Sequence, residues 1–129
     1  MSRKKRVLLV DDDVDFVDAT QMLLEQEGYE VVTAYSGAAA LEVVAKIELD
    51  LILMDVMMTS DTEGIEISRR IRELPEARDV PVILMTGIRT ALNLPHSLEP
   101  DEDWLPVKAV LDKPVPPERL LAELRKHLA

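Results

Sequence analysis

Cysteine is absent from this sequence, which excludes a disulfide framework and any thiolate metal site. Positive charge is scarce as well: 15 Lys and Arg face 25 Asp and Glu, for a net charge of -10. Duplex binding is driven by clustered cations that release counterions, so no nucleic-acid partner is expected. The one basic run, Arg3-Lys4-Lys5-Arg6, reads as the solvated lead-in to a strand. No apolar segment follows Met1 and no apolar run reaches the roughly 18 residues of a membrane span. The expectation is a cytoplasmic chain without membrane insertion. Hydrophobic residues make up 47% of the 129 positions, enough for one domain over residues 1–129 that removes about two thirds of its extended-chain surface from water.

What is present is regular. Short apolar runs recur at Val7 to Val10, Val31 to Tyr35, Leu51 to Met54, Val82 to Met85 and Ala109 to Leu111. They do not alternate with polar residues, as expected of strands buried on both faces. Between them, Phe16, Ala19 and Leu23, then Ala38, Leu41 and Ala45, then Ile67, Ile71 and Leu74, and finally Leu120, Leu124 and Leu128 recur at helical spacing. Gly28 is placed to close the first helix, Ser36 to cap the second, and Pro116-Pro117 to open the last. Strand and helix alternate throughout, which predicts an α/β fold with a parallel sheet covered by helices on both faces. No linker, internal repeat or low-complexity segment divides it.

Carboxylates crowd the end of the first apolar run. Asp11, Asp12, Asp13 and Asp15 follow Val10 almost without interruption, and two like charges about 5 Å apart at an effective dielectric of about 20 cost roughly 3 kcal/mol. Something must offset this. Ligands of open α/β sheets sit beyond the carboxyl ends of the strands, where Asp55, Thr86 and Lys113 also fall, after the third, fourth and fifth runs. One polar residue at a strand end is ordinarily a cap or a turn. Five of complementary chemistry point to a site: three carboxylates suit a hard cation such as Mg²⁺, lysine supplies a point charge for phosphate, and a threonine hydroxyl donates to a phosphoryl oxygen. Such a site can stabilise a transferring phosphoryl group while an aspartate attacks it. Asp13 and Asp15 are better placed to open the first helix, capping its free N–H groups and complementing its dipole.

These residues, in this order, resemble the receiver domain of response regulators from two-component signalling, in its single-domain form, from about Arg6 to Leu128. The resemblance implies a flavodoxin-like doubly wound (βα)5 sandwich with strand order 2-1-3-4-5. It implies Asp55 as phosphoacceptor and Asp11, Asp12, Asp55 and the Met57 backbone carbonyl as the site of Mg²⁺, with Mn²⁺ able to replace it. Asp12 is then the direct ligand among the acidic pair, and Asp11 acts largely through water. Thr86 and Gly87 resemble the switch hydroxyl and its small neighbour, and Lys113 with Pro114 the family's Lys-Pro pair, with a cis peptide expected. The implied function is Mg²⁺-dependent phosphotransfer from a sensor histidine kinase or a histidine phosphotransfer protein to Asp55. A changed surface then controls a downstream protein target, or the phosphate is relayed onward. Such a module is a regulatory phosphoacceptor rather than an enzyme, either a monomer or a weak phosphorylation-dependent dimer. No output domain is expected within these residues.

The chain also departs from the family pattern. After Asp55 it reads DVMMTSDTEGIE, with Thr59 at the usual proline position and Glu63-Gly64 one residue late. The stretch between Thr86 and Lys113 is longer than usual, and Pro95, Pro100 and Pro106 predict a short or broken fourth helix. Val110 takes a position often occupied by an aromatic residue that reports the switch. Met57 and Ile88 lie two residues past Asp55 and Thr86, where apolar side chains cannot orient a hydrolytic water, so slow self-dephosphorylation is expected. Trp104, the only Trp, reads either as a cover over a neighbouring element or as a partner anchor in an acidic segment. The six Met residues read as core filling, His96 as a loop residue and His127 as a cation near a helix end. Two alternatives remain at this point: a haloacid-dehalogenase-like phosphatase with Asp11 as nucleophile, and a receiver-like adaptor that works without phosphorylation. An EF-hand fails, because Phe16 stands at the turn glycine and Met22 at the twelfth-position Glu.

Overall fold

A computed structural model of the chain describes residues 4–56, 63–87 and 107–128. In chain order these form β1 (Arg6–Val10), α1 (Val14–Gln26), β2 (Glu30–Ala34), α2 (Gly37–Lys46), β3 (Leu51–Asp55), α3 (Glu63–Glu73), β4 (Val82–Thr86), β5 (Ala109–Asp112) and α4 (Pro117–Leu128). The strands make one sheet in the order β2-β1-β3-β4-β5, and every pairing is parallel. This is the expected flavodoxin-like arrangement. The apolar runs translate into strands with small shifts: β2 begins at Glu30 and ends at Ala34, and β3, β4 and β5 each extend one residue further to Asp55, Thr86 and Asp112.

Burial explains the sequence pattern. Val7, Leu8, Leu9 and Val10 are fully buried, as are Leu51 to Met54, because side chains alternate between two covered faces. Leu8, Val10, Ile52, Met54 and Leu84 meet Ala40 and Val44 of α2 and Ile67 and Ile71 of α3. On the opposite face Val7, Leu9, Leu51, Leu53, Ile83 and Met85 meet Val17 and Leu24 of α1 and Leu120, Leu124 and Leu128 of α4. The edge strands differ from the expectation of full burial: three of the five β2 residues are half-buried and Glu30 is exposed, and β5 has a single buried residue, Leu111. An edge strand has a neighbour on one side only.

Two helices turn a different face inward than their spacing predicts. The buried residues of α1 are Val17, Thr20 and Leu24, one position beyond the Phe16, Ala19, Leu23 set. In α2 they are Gly37, Ala40 and Val44, one position before Ala38, Leu41 and Ala45. Both helices carry adjacent apolar pairs, so two neighbouring stripes fit the period equally well, and the sheet selects one of them. The α3 and α4 faces agree with expectation.

Local punctuation sets the elements. The Asp13 side chain caps α1 by accepting from Phe16 N, and Ser36 caps α2 by accepting from Ala39 N. Gly28, just past the end of α1, has a φ of 91°, a conformation that costs other residues more than glycine. Pro95, Pro100, Pro106 and the fourth helix expected near them lie outside the described residues.

Candidate functional site

The parallel register brings five strand-end residues to one edge. Val10 pairs with Met54, so Asp11 emerges beside Asp55. Asp55 in turn pairs with Met85, and Thr86 with Asp112. The backbone continues the ladder past the strands: Val56 N donates to Met85 O at 3.0 Å, and Lys113 N donates to Thr86 O at 2.9 Å. Hydrogen-bonded backbone thus fixes the stems of Asp55, Thr86 and Lys113, and the Lys113–Pro114 peptide is cis.

Carboxylate oxygens of Asp11, Asp12 and Asp55, one from each, lie within 4.8 Å of one another. Asp11 and Asp55 are buried and Asp12 is exposed. The Lys113 ammonium donates to Asp11 Oδ2 at 2.7 Å and lies 3.3 Å from Asp55 Oδ1. The other Asp11 oxygen accepts from Asp13 N at 3.0 Å. Both oxygens of Asp11 therefore have protein partners, while Asp12 faces solvent, which fits a division between an indirect and a direct cation ligand.

One lysine does not neutralise three clustered carboxylates. Burial, then the Asp11 charge, pushes the Asp55 carboxyl up from 3.8 to about 6, against the opposing charge and hydrogen bond of Lys113. For Lys113, burial disfavours the ammonium, but its hydrogen bond to Asp11 and the charges of Asp55 and Asp11 outweigh this, and its pKa is raised. The donor set is all oxygen, anionic and partly open to water, which is what a hard divalent cation requires. The residues fit Mg²⁺.

The acidic run at the start of α1 divides as expected. Asp11 and Asp12 belong to the cluster, Asp13 is the α1 cap, and Asp15 sits exposed in the first turn. Thr86, fully buried, ends β4, and next to it Gly87 leaves open space where a Cβ would stand. Met57, Ile88 and Trp104 lie outside the described residues, as do Thr59 and His96. Val110 is half-buried and packs against the α2 and α3 side of the core.

Three residues at this site escape a search by strand-end position. Gly64, in the first turn of α3, donates its N–H to Val56 O at 2.9 Å, and a Cβ there would overlap the Asp55 carbonyl oxygen. Glu63 beside it accepts from Gly37 N at 2.9 Å, tying the start of α3 to the start of α2. Phe16 places its ring 4.3 Å from the Lys113 ammonium. Its sequence signal is its position in the first turn of α1, four residues after Asp12.

A sequence profile of the response regulator receiver domain matches residues 7–125, and the chain belongs to that family. An uncharacterized transcriptional regulatory protein of Bacillus subtilis, YbdJ, is 33% identical over 123 residues, covering 95% of this chain and 50% of that protein. The regulatory protein VanR of Enterococcus faecium is 30% identical, with coverage of 95% and 49%. This chain therefore spans about half the length of these curated relatives. The solved structure of the chemotaxis response regulator CheY4 of Vibrio cholerae superposes with a TM-score of 0.80 at 29% identity, covering 97% of this chain and 99% of that one. The chain is a CheY-like receiver domain of two-component signalling, and the family is a regulatory one. No helix among the described residues is long and apolar enough to cross a membrane.

Proposed function

We propose that this receiver accepts a phosphoryl group on Asp55 from the phosphohistidine of a sensor kinase or a histidine phosphotransfer protein. The observation that carries the reading is the Asp11, Asp12, Asp55 cluster with the Lys113 ammonium bridging Asp11 and Asp55. An Asp55 oxygen attacks phosphorus, the O–P bond forms, and the N–P bond to the donor imidazole breaks with its electron pair left on nitrogen. In this reading Lys113 pairs with a phosphoryl oxygen and Thr86 donates its hydroxyl to another, and the open space at Gly87 supports room for the group. Mg²⁺, held by Asp12, Asp55, the Met57 carbonyl and, through water, Asp11, would offset negative charge on both the attacking and the transferring group.

Family membership favours Asp55 over Asp11 as the nucleophile, since the haloacid-dehalogenase reading requires Asp11 to attack. Asp11 already has both oxygens engaged, by Lys113 and by Asp13 N. Retention of all five strand-end residues supports phosphorylation over the phosphorylation-independent adaptor. The output is a changed surface read by a protein target or a phosphorelay partner. Apolar side chains at Met57 and Ile88 support slow hydrolysis of the acyl phosphate, in which water attacks phosphorus and releases phosphate and the free carboxylate. A phosphoryl lifetime of seconds would count against that part of the reading; minutes or longer is expected.

The test is incubation with acetyl phosphate and Mg²⁺, followed by intact mass. One phosphoryl group is expected on the unsubstituted protein, none on Asp55→Asn, and little without Mg²⁺. An equally modified Asp55→Asn protein would refute the assignment.

A further inference from the structure

Among the described residues Lys113 is the one cation of the site, and its ammonium rests on three supports. Asp11 Oδ2 accepts from it at 2.7 Å, Asp55 Oδ1 lies at 3.3 Å, and the Phe16 ring lies 4.3 Å away, measured to the centroid. The ring is itself held. Phe16 N donates to the Asp13 side chain at 3.2 Å, the next residue, Val17, is fully buried, and Phe16 packs against the core cluster that α1 and α4 share. A lysine stem is long and flexible, whereas a phenyl ring in a capped first turn has few positions open to it.

We infer that Phe16 is a positioning residue for Lys113: its ring face holds the ammonium over the gap between Asp11 and Asp55, where the oxygens of an incoming phosphoryl group must lie. The inference rests on Asp55 being the phosphoacceptor. The aromatic quadrupole attracts a cation without carrying net charge. A third carboxylate at this place would bind the ammonium more tightly, but it would also repel the phosphoryl group and add to the crowding that already raises Asp55. The ring confines the ammonium and leaves its charge available to the substrate. It also covers a side of the ammonium that water would otherwise occupy.

Phe16 is the only phenylalanine in the sequence, so biosynthetic replacement of phenylalanine by its mono-, di- and trifluorinated analogues alters one ring and nothing else. Fluorine drains the ring face of negative potential while nearly conserving its shape. The readout is the rate at which acetyl phosphate and Mg²⁺ modify the protein: an Asp55 oxygen bonds to phosphorus, the P–O bond to the acetyl group breaks, and acetate leaves. The rate is expected to fall stepwise with fluorine content, by about threefold or more for the trifluorinated ring, with the melting temperature level or slightly raised. Phe16→Tyr should stay within about twofold of the unsubstituted rate, and Phe16→Leu, which keeps apolar bulk without a ring, should fall at least as far as the trifluorinated protein.

A purely structural role predicts instead that rate follows stability and ignores ring electronics. A rate indifferent to fluorination, a rate that rises with it, or a Phe16→Leu protein as fast as the unsubstituted one overturns the inference and leaves the phosphoacceptor reading standing. No modification of the unsubstituted protein overturns both. A second readout needs no phosphorylation: ring-current shifts on the Lys113 ε-methylene protons, present in the unsubstituted protein and lost in Phe16→Leu, are expected, and their absence from the unsubstituted protein removes the geometry on which the inference depends.

Discussion

Asp55 carries the electrostatic tension of the site, and the tension has a sign that can be measured. Its carboxyl is pushed up from 3.8 to about 6 by burial and then by Asp11, so the folded protein binds this proton more tightly than the unfolded chain does. The resulting stabilisation is complete below about pH 4 and is lost as pH rises through about 6. In a chelator at pH 7.5 the ionised carboxylate should cost on the order of 2 to 3 kcal/mol of stability. Asp55→Asn should recover much of this, with a higher denaturation midpoint at pH 7.5 and a smaller difference from the unsubstituted protein at pH 4. Equal midpoints at both pH values would count against it. Asp12 bears on the same tension from solution. Mg²⁺ at about 100 times its Kd should stabilise the protein by about 2.7 kcal/mol, and Asp12→Ala should lose most of that response in a thermal melt with and without the ion. An undiminished shift would exclude Asp12 as a ligand.

At the scale of elements, the loop side of the site depends on how α3 starts. Gly64 brings its backbone against Asp55 and Val56 so closely that a Cβ would overlap Asp55 O, while its N–H bonds Val56 O. Gly64→Ala should therefore push the start of α3 away from the end of β3. A loss of about 1 to 3 kcal/mol in denaturant unfolding is expected, together with slower phosphorylation, because the displaced backbone is that of Asp55 itself. Unchanged stability and rate would show that α3 has more freedom than its close approach implies. The late Glu63-Gly64 pair was visible in the sequence as a departure, but its purpose was not, because Cβ clearance against a distant strand has no local signature. The same limit explains the helix faces. The capping residues and the strand-end cluster follow from local chemistry and could be read directly, whereas the strand order was implied only by the family resemblance. Which of two adjacent stripes on α1 and α2 faces the sheet depends on packing angles, and so does the contact between Phe16 and Lys113, two residues separated by most of the chain.

For the whole molecule, the two cores above and below the sheet leave its carboxyl edge as the place where β1, β3 and β5 present charge and β4 a hydroxyl. That single edge joins the sequence pattern to the family and to the proposed chemistry. The central claim, that the acyl phosphate forms on Asp55 and not on the neighbouring carboxylates, has a direct test. Borohydride reduces an aspartyl phosphate to homoserine, which marks the modified position permanently. Protein treated with acetyl phosphate and Mg²⁺, reduced and mapped by peptide mass spectrometry, should carry homoserine at position 55 and aspartate at positions 11 and 12. Homoserine at position 11, with position 55 unmodified, would contradict the account.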